Sequence, residues 1–477
     1  MIKPNQLKQT RQNFICTHRY WLLFILILCL SATLRFWHLG TINIPVFDEV
    51  YFPLYGYDYL TGKQFFHVHP PLANYIFAAA IWLYYHLPWM NAADLNTLAY
   101  DQISVLSYRW INAVMGTLLC IVAWATTYAI SKLKWFAIIV FFFLSIDGSL
   151  LVDSRFGTNN IYIVLLGLLA IYFVSSAQDS NTKTRLFLII AGIFFGLTIT
   201  VKWNGLGYLL AVLAFGLFFK FIEYSDHFRP AKLADHHHSN DLILNKNPPA
   251  WEYLIYLILI PIIVYCLIWI PDRLFNTEYG FIEMHHQIFG YHEYSKVAKE
   301  HPYCSKWYSW PFLIRPIGYS FSTETITNAS GLATTYYKDV HLLPNPILTW
   351  GSTIAIIFMS GHWLCLAWQW FSKGLINRKW VILTIILLGY FANLLPWAFV
   401  SRCLFLYHYQ SAATFGMFAF AWYLYSGFKQ KNKFILMASI ITLLMITAAF
   451  IYWLPIQLGI PLEQSSFYNR MWLQSWI

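Results

Sequence analysis

The chain has 477 residues, of which 58% are hydrophobic, 20% aromatic and only 11% charged. A mean hydropathy of +0.51 excludes an ordinary soluble domain and reads as an all-α polytopic membrane protein. The formal net charge of +10 does not imply a nucleic-acid partner, because the basic residues are dispersed and form no basic run.

A bilayer-crossing helix needs about 20 predominantly apolar residues. Eleven segments fit, in chain order 20–38, 108–130, 135–151, 157–177, 186–201, 205–222, 251–270, 347–371, 380–397, 404–426 and 434–454, the third and fifth being short. The basic N-terminus (Lys3, Lys8, Arg11, Arg19) runs into the first without a small-residue cleavage site, so an uncleaved span is expected. With that terminus cytoplasmic, the inner segments 1–19, 131–134, 178–185, 220–250, 372–379 and 427–433 carry 18 of the 31 Lys and Arg. This bias predicts a multi-pass protein of the plasma (inner) membrane with its N-terminus cytoplasmic and its C-terminus extracytoplasmic.

One membrane domain over 1–477 is expected, with two large outer loops at 39–107 and 271–346 carrying short amphipathic helices. The polar stretch 223–250 reads as a cytoplasmic linker, and its His236-His237-His238 run as a solvated loop, since consecutive residues rarely converge on one ion. The seven cysteines (Cys16, Cys29, Cys120, Cys266, Cys304, Cys365, Cys403) lie mostly in or beside apolar segments without zinc-ligand spacing. They read as small buried residues, and no disulfide framework is expected. No paired broken helices appear, which weighs against a transporter.

The chemistry concentrates at the outer face. Asp48 and Glu49 follow the first span, and at that depth a carboxylate with a raised pKa meets both lipid-borne and water-borne substrates. A lone interfacial carboxylate is more often half of a salt bridge. What favours a site is the neighbouring His69-Pro70-Pro71, where the prolines fix the backbone ahead of a helix beginning near Leu72. The short turn 145–160 holds Asp147, Asp153 and Arg155, either as an internal Asp–Arg bridge or with Arg155 set to grip a phosphate. Lys202, against the charge bias, and Arg402, followed by Tyr407 and His408, add outer cations. Cations around one anion, opposite a carboxylate pair, suit group transfer from a lipid phosphate. No Walker A or dinucleotide-binding motif is present, so the energy is expected from an activated lipid.

These residues resemble bacterial members of the protein O-mannosyltransferase family, polytopic enzymes of the GT-C superfamily. The resemblance runs through nearly the whole chain: "FDE" at 47–49, "HPPLAN" at 69–74, "DSR" at 153–155, "TVKWNGLG" at 200–207, "HPYCSKWYSWPFLIRPIGY" at 301–319, "LPNPILTWGS" at 343–352, "SRCLFLYHYQSA" at 401–412 and "YNRMWLQSWI" at 468–477. It implies polyprenyl-phosphate mannose as donor, and Ser or Thr hydroxyls of exported or membrane proteins as acceptors, delivered by the secretion machinery. Membrane lipids surround the protein, and no divalent metal or other cofactor is required.

In site terms, the resemblance implies Asp48 as general base with Glu49 beside it. Arg155, Lys202, Arg402 and His69 would bind the donor phosphate, with Asp153, Tyr407 and His408 as further contacts. Asn74 stands where the family pattern has lysine, and Asn159 and Asn160 lie near a usual aspartate. The 271–346 loop is too short for the β-trefoil repeats of eukaryotic members. The alternatives are a related GT-C enzyme moving aminoarabinose to lipid A, or a non-catalytic transporter or scaffold.

Overall fold

In the computed structural model, the described residues are 4–88, 94–180, 182–226, 248–294, 301–327 and 333–477. The His236–His238 run and the Asn328-Ala329-Ser330 glycosylation pattern lie outside them. Nine helices among the described residues are long and apolar enough to cross a membrane. Their lipid-facing surfaces show the expected inversion of a soluble fold. On the helix Lys433–Leu458, for example, Phe434, Leu444 and Ile451 are exposed, which is costly in water and neutral in hydrocarbon.

The order is α1 (Pro4–Phe36), then α2 (Phe52–Thr61) and α3 (Leu72–Tyr85) in the first outer loop. Next come α4 (Leu106–Ser131), α5 (Lys134–Ile146), α6 (Gly148–Asp153), α7 (Asn160–Gln178), α8 (Thr184–Val201) and α9 (Leu206–Asp226). A tenth helix, α10, covers Trp251–Phe275. After it come α11 (Phe281–Tyr294) and the strands β1 (Ile317–Thr327) and β2 (Ala333–Leu342). The chain closes with α12 (Pro346–Lys373), α13 (Arg378–Leu394), α14 (Gln410–Phe428), α15 (Lys433–Leu458) and a two-residue β3 (Leu462–Glu463).

Helices thus lie on all eleven predicted spans, but α5 and α14 are not among the nine that qualify by length and composition. The apolar run predicted as 135–151 stops at Ile146. Asp147 takes an extended conformation there, and its carboxylate accepts from Leu150 N at 3.0 Å, capping α6. In the run predicted as 404–426, helix α14 begins only at Gln410, after a 3-10 turn at Leu406–Tyr409. Both departures replace part of a predicted span by a turn or short helix.

The loop predicted over 271–346 also differs from expectation. Besides the helix α11 it forms an antiparallel hairpin, Ile317 opposite Leu342 and Thr327 opposite Ala333, with β3 pairing to β2 at Tyr336 and Tyr337. The base of the hairpin is buried and its far end exposed. The C-terminal segment packs under this loop: Arg315 Nη1 donates to Ile477 O (2.7 Å) and Trp476 Nε1 to Leu313 O (2.6 Å). The C-terminus therefore lies on the same side as the hairpin.

Helices approach closely where side chains are absent. A Cβ on Gly116 of α4 would sit 2.0 Å from Ser154 Oγ and 3.0 Å from Arg35 Nε, so only glycine lets α4 meet this polar seam. The absence of disulfides expected from sequence is corrected. Cys304 and Cys403 form a bridge, Cα–Cα 5.2 Å, between two loops 99 residues apart. Spacing along the chain gave no hint of it, because the partners meet only in the fold.

Non-reducing peptide mapping should recover the peptides around Cys304 and Cys403 as one linked species. Removing a native bridge of this kind costs about 2–5 kcal/mol, so C304S and C403S should each lower the midpoint of thermal inactivation, and the double variant no further than either alone.

Candidate active site

Asp48 sits in a short 3-10 turn, Phe47–Val50, whose backbone is set by its neighbours. Phe47 has φ of +49°, a left-handed conformation that a bulky side chain adopts only when other contacts enforce it. Two contacts do so. The Phe47 ring stacks on Tyr319 of β1 at 4.6 Å, and Val46 N donates to Glu49 Oε2 across the turn at 3.0 Å.

Glu49 is fully buried and its carboxylate is fully engaged by the protein. Arg109 of α4 grips it with two hydrogen bonds, Nε to Oε1 at 2.8 Å and Nη2 to Oε2 at 2.6 Å, and Gly157 N donates to Oε1 at 2.7 Å. Arg109 also donates to the carbonyls of Leu39 (2.9 Å), Ile42 (2.6 Å) and Ile44 (2.9 Å). The sequence reading paired Glu49 with Asp48 as catalytic. The structure instead makes Glu49 one half of a buried ion pair that positions Asp48, while no side-chain hydrogen bond holds the Asp48 carboxylate among the described residues.

Burial pushes the Asp48 carboxyl up to about 6, against the pull of Lys202 and Arg402 and with the push of Asp153. Lys202, between α8 and α9, is itself buried. Desolvation and the Arg402 charge bring it down to about 8, while Asp48 and Asp153 oppose this. Its ammonium lies 5.2 Å from the Tyr407 ring centroid and makes one long hydrogen bond, to Asn160 Oδ1 at 3.4 Å. Arg402, half-buried, donates from Nη1 to Cys403 O at 3.1 Å, one residue from the disulfide that anchors its loop. Burial lowers its pKa too.

Asp153 is fixed by four donors: Tyr319 Oη, Gln410 Nε2 (2.7 Å), Thr158 Oγ1 (3.0 Å) and Asn160 Nδ2 (3.1 Å). It is a positioned charge rather than a reactive group. Asn160 bridges it to Lys202, a role the sequence alone did not assign.

His69 stacks on Phe52 (6.1 Å) and on His292 of α11 (5.3 Å). Burial and then Lys202, His292, Arg402 and His408 hold it well below the usual imidazole range, so it is neutral. His408 is 2% exposed. Its Nδ1 accepts from Phe405 N at 3.1 Å, and Phe405 O already accepts from His408 N at 3.0 Å. Nδ1 also lies 3.1 Å from Phe405 O, so either ring tautomer has a backbone partner there, and Nε2 is buried without a hydrogen-bond partner among the described residues. Asp48, Lys202, Arg402, His69 and His408 thus form one electrostatic cluster, joined by His292, which the sequence reading missed.

Arg155 lies beside Arg109 and Arg35, and its Nε is buried without a hydrogen-bond partner among the described residues. Its Nη1 donates to Leu34 O at 2.8 Å and Arg35 O at 3.4 Å, capping the C-terminal end of α1. Its charged neighbours are Arg109 and Arg35, and with burial they hold its pKa down at about 10. Neither proposed Asp–Arg bridge in the 145–160 turn forms. The cations that face Asp48 are Lys202 and Arg402. Among the described residues, no group of three or more His, Cys, Asp or Glu side chains is arranged to hold a metal ion.

Residues 25–275 match the family described as dolichyl-phosphate-mannose-protein mannosyltransferase, and residues 277–476 match the C-terminal four-transmembrane region of protein O-mannosyltransferases. The chain belongs to this family. It is similar to the polyprenol-phosphate-mannose–protein mannosyltransferases of Mycolicibacterium smegmatis (22% identical, 96% of this chain, 93% of the relative) and Mycobacterium tuberculosis (22%, 96% and 92%). Among solved structures, the Saccharomyces cerevisiae protein O-mannosyltransferase Pmt1-Pmt2 complex bound to the sugar donor matches with a TM-score of 0.78. The identity is 15%, covering 96% of this chain and 93% of that one. ArnT from Cupriavidus metallidurans bound to undecaprenyl phosphate matches with a TM-score of 0.53 at 11% identity, over 92% and 75% of the two chains. The fold is therefore that of the GT-C membrane glycosyltransferases. Membership of a mannosyltransferase family makes the chain an enzyme, and favours a protein acceptor over the lipid A reading.

Removing one partner of a buried ion pair costs about 3–5 kcal/mol. E49Q and R109L should therefore each lower the thermal midpoint of the purified protein and its activity together. D48N should leave the thermal midpoint within error while losing activity.

Proposed function

We propose that the chain transfers mannose from polyprenyl-phosphate mannose to Ser or Thr hydroxyls of proteins at the outer face of the plasma membrane. The observation that carries this reading is the unpaired Asp48 carboxylate facing Lys202 and Arg402, in a chain of this family. Asp48 takes the proton of the acceptor hydroxyl as its oxygen attacks the anomeric carbon. The bond from that carbon to the phosphate oxygen breaks, and the polyprenyl phosphate leaves with the electron pair. Attack opposite the leaving group inverts a β-linked donor to an α-mannoside. The proton passes from Asp48 to water.

The side chains supply what the leaving phosphate needs. Lys202 and Arg402 bring charge, and the buried, unpartnered Nε2 of His408 offers a further polar contact, a donor in the tautomer whose Nδ1 accepts from Phe405 N. Neutral His69 packs beside them. With two cations at the anion, the reaction is proposed to run without a divalent metal, and activity should survive exhaustive chelation. The distribution of Lys and Arg supports a cytoplasmic N-terminus and extracytoplasmic C-terminus. The Cys304–Cys403 bridge supports an oxidising compartment for the site. Acceptors on that face are exported or membrane proteins, with delivery by the secretion machinery as part of the proposal.

The test is transfer of labelled mannose from polyprenyl-phosphate mannose to a Ser/Thr-rich peptide, with aminoarabinosyl donor and lipid A run in parallel. Peptide mannosylation is expected. Transfer to lipid A alone would overturn the reading. General-base catalysis contributes about 10²–10⁴-fold, so D48N should lose at least about a hundredfold in kcat. Asp48 must be ionised and Lys202 protonated, so kcat/KM should rise as pH increases through about 6 and fall above about 8. K202R should keep activity on the alkaline side.

A further inference from the structure

On the reading that this site transfers a sugar from a lipid phosphate, we infer that His292 recognises a hydroxyl of the transferred sugar through the lone pair of Nδ1. His292 lies on α11 in the second outer loop. Its Nε2 is 2.9 Å from Val68 O in the first. A carbonyl oxygen only accepts, so Nε2 carries the hydrogen, and in the neutral ring Nδ1 presents a lone pair. That Nδ1 is buried, and no hydrogen-bond partner reaches it among the described residues. A buried acceptor without a donor is unfavourable unless a ligand supplies one.

The surroundings say what kind of ligand. The ring stacks on His69 at 5.3 Å and meets the edge of Trp203 at 6.4 Å. Burial, and then the Arg402 and Lys202 charges, lower its pKa to about 4, so it remains an acceptor at neutral pH. A phosphate oxygen is itself an acceptor and would meet this lone pair unfavourably. A hydroxyl fits both sides: its hydrogen points to Nδ1, and its oxygen lone pairs face the cations.

The acceptor protein's hydroxyl gives its proton to Asp48, which leaves the hydroxyls of the sugar attached to the phosphate. The two orphaned imidazole nitrogens thus divide the donor between them. His408 Nε2 offers a polar contact toward the phosphate, and His292 accepts a hydrogen from the sugar.

The experiment compares kcat/KM for polyprenyl-phosphate mannose with that for analogues each lacking one sugar hydroxyl, using one peptide acceptor. Two variants separate recognition from scaffolding. H292N keeps an acceptor oxygen near the Nδ1 position and loses the bond to Val68. H292Q keeps a donor near Val68 and loses the acceptor. A site that hydrogen-bonds a hydroxyl discriminates strongly against its absence, so the wild-type enzyme should use at least one deoxy analogue about tenfold or more less efficiently. That preference should persist in H292N and vanish in H292Q. Unchanged preference for every hydroxyl in H292Q, or loss of preference in H292N with retention in H292Q, would overturn the inference alone. Failure of the wild-type enzyme to transfer mannose from any lipid donor would instead overturn the functional reading on which it rests.

Discussion

The buried pair of Glu49 and Arg109 is the interaction on which the site depends. Both side chains are removed from water, and each is saturated: Glu49 by Arg109, Val46 N and Gly157 N, and Arg109 additionally by the carbonyls of Leu39, Ile42 and Ile44. A buried ion pair is worth little for stability when an apolar alternative would fit. Its value here is geometric. It ties α4, the chain leaving α1 and the turn before α7 to one carboxylate, leaving the adjacent Asp48 as the member of the acidic pair without such bonds.

Two further arginines extend that frame. Arg35 donates to Ser31 Oγ at 2.8 Å and to Leu144 O at 3.2 Å near the end of α5, and Arg155 caps the end of α1. Exposed helix-terminal carbonyls at the edge of a membrane need partners, and a guanidinium with five donors can satisfy several at once. The cations that remain near Asp48 are therefore those whose hydrogen-bonding capacity the protein itself has barely used. Lys202 makes one long contact and Arg402 one to a backbone carbonyl. This contrast sets Lys202 and Arg402 apart from Arg109 and Arg35, while Arg155, whose Nε is buried without a partner among the described residues, falls between the two groups.

Much of this was legible in the sequence. Apolar runs long enough for a bilayer located the helices, because hydrocarbon admits few alternatives to them. The Pro-Pro pair placed the start of α3 correctly at Leu72. Asp48, Lys202, Arg402 and His69 could be nominated because charged or imidazole groups at an apolar boundary are costly without a purpose. For Arg155 and Glu49 the same rule shows only that such a group has a partner, not whether the partner is the protein's own backbone or a substrate. Arg109, just inside the span predicted as 108–130, carries no local signal of its role. His292 and Cys304 gave no local signal, because what they touch lies far away in sequence.

The sequence by itself determined that this chain lives in a membrane, that its chemistry collects on one face and which family it resembles. Each of these follows from composition, spacing and short ordered motifs. Tertiary structure alone decided which charges are spent on the frame and which are left for a ligand. It also decided the hairpin that brings Tyr319 to Asp153, the bridge between Cys304 and Cys403, and the polarity of His292. The physical reason is that partner choice for a buried polar group is settled by which distant backbone and side-chain atoms the packed helices deliver to it, and a linear sequence does not contain those distances.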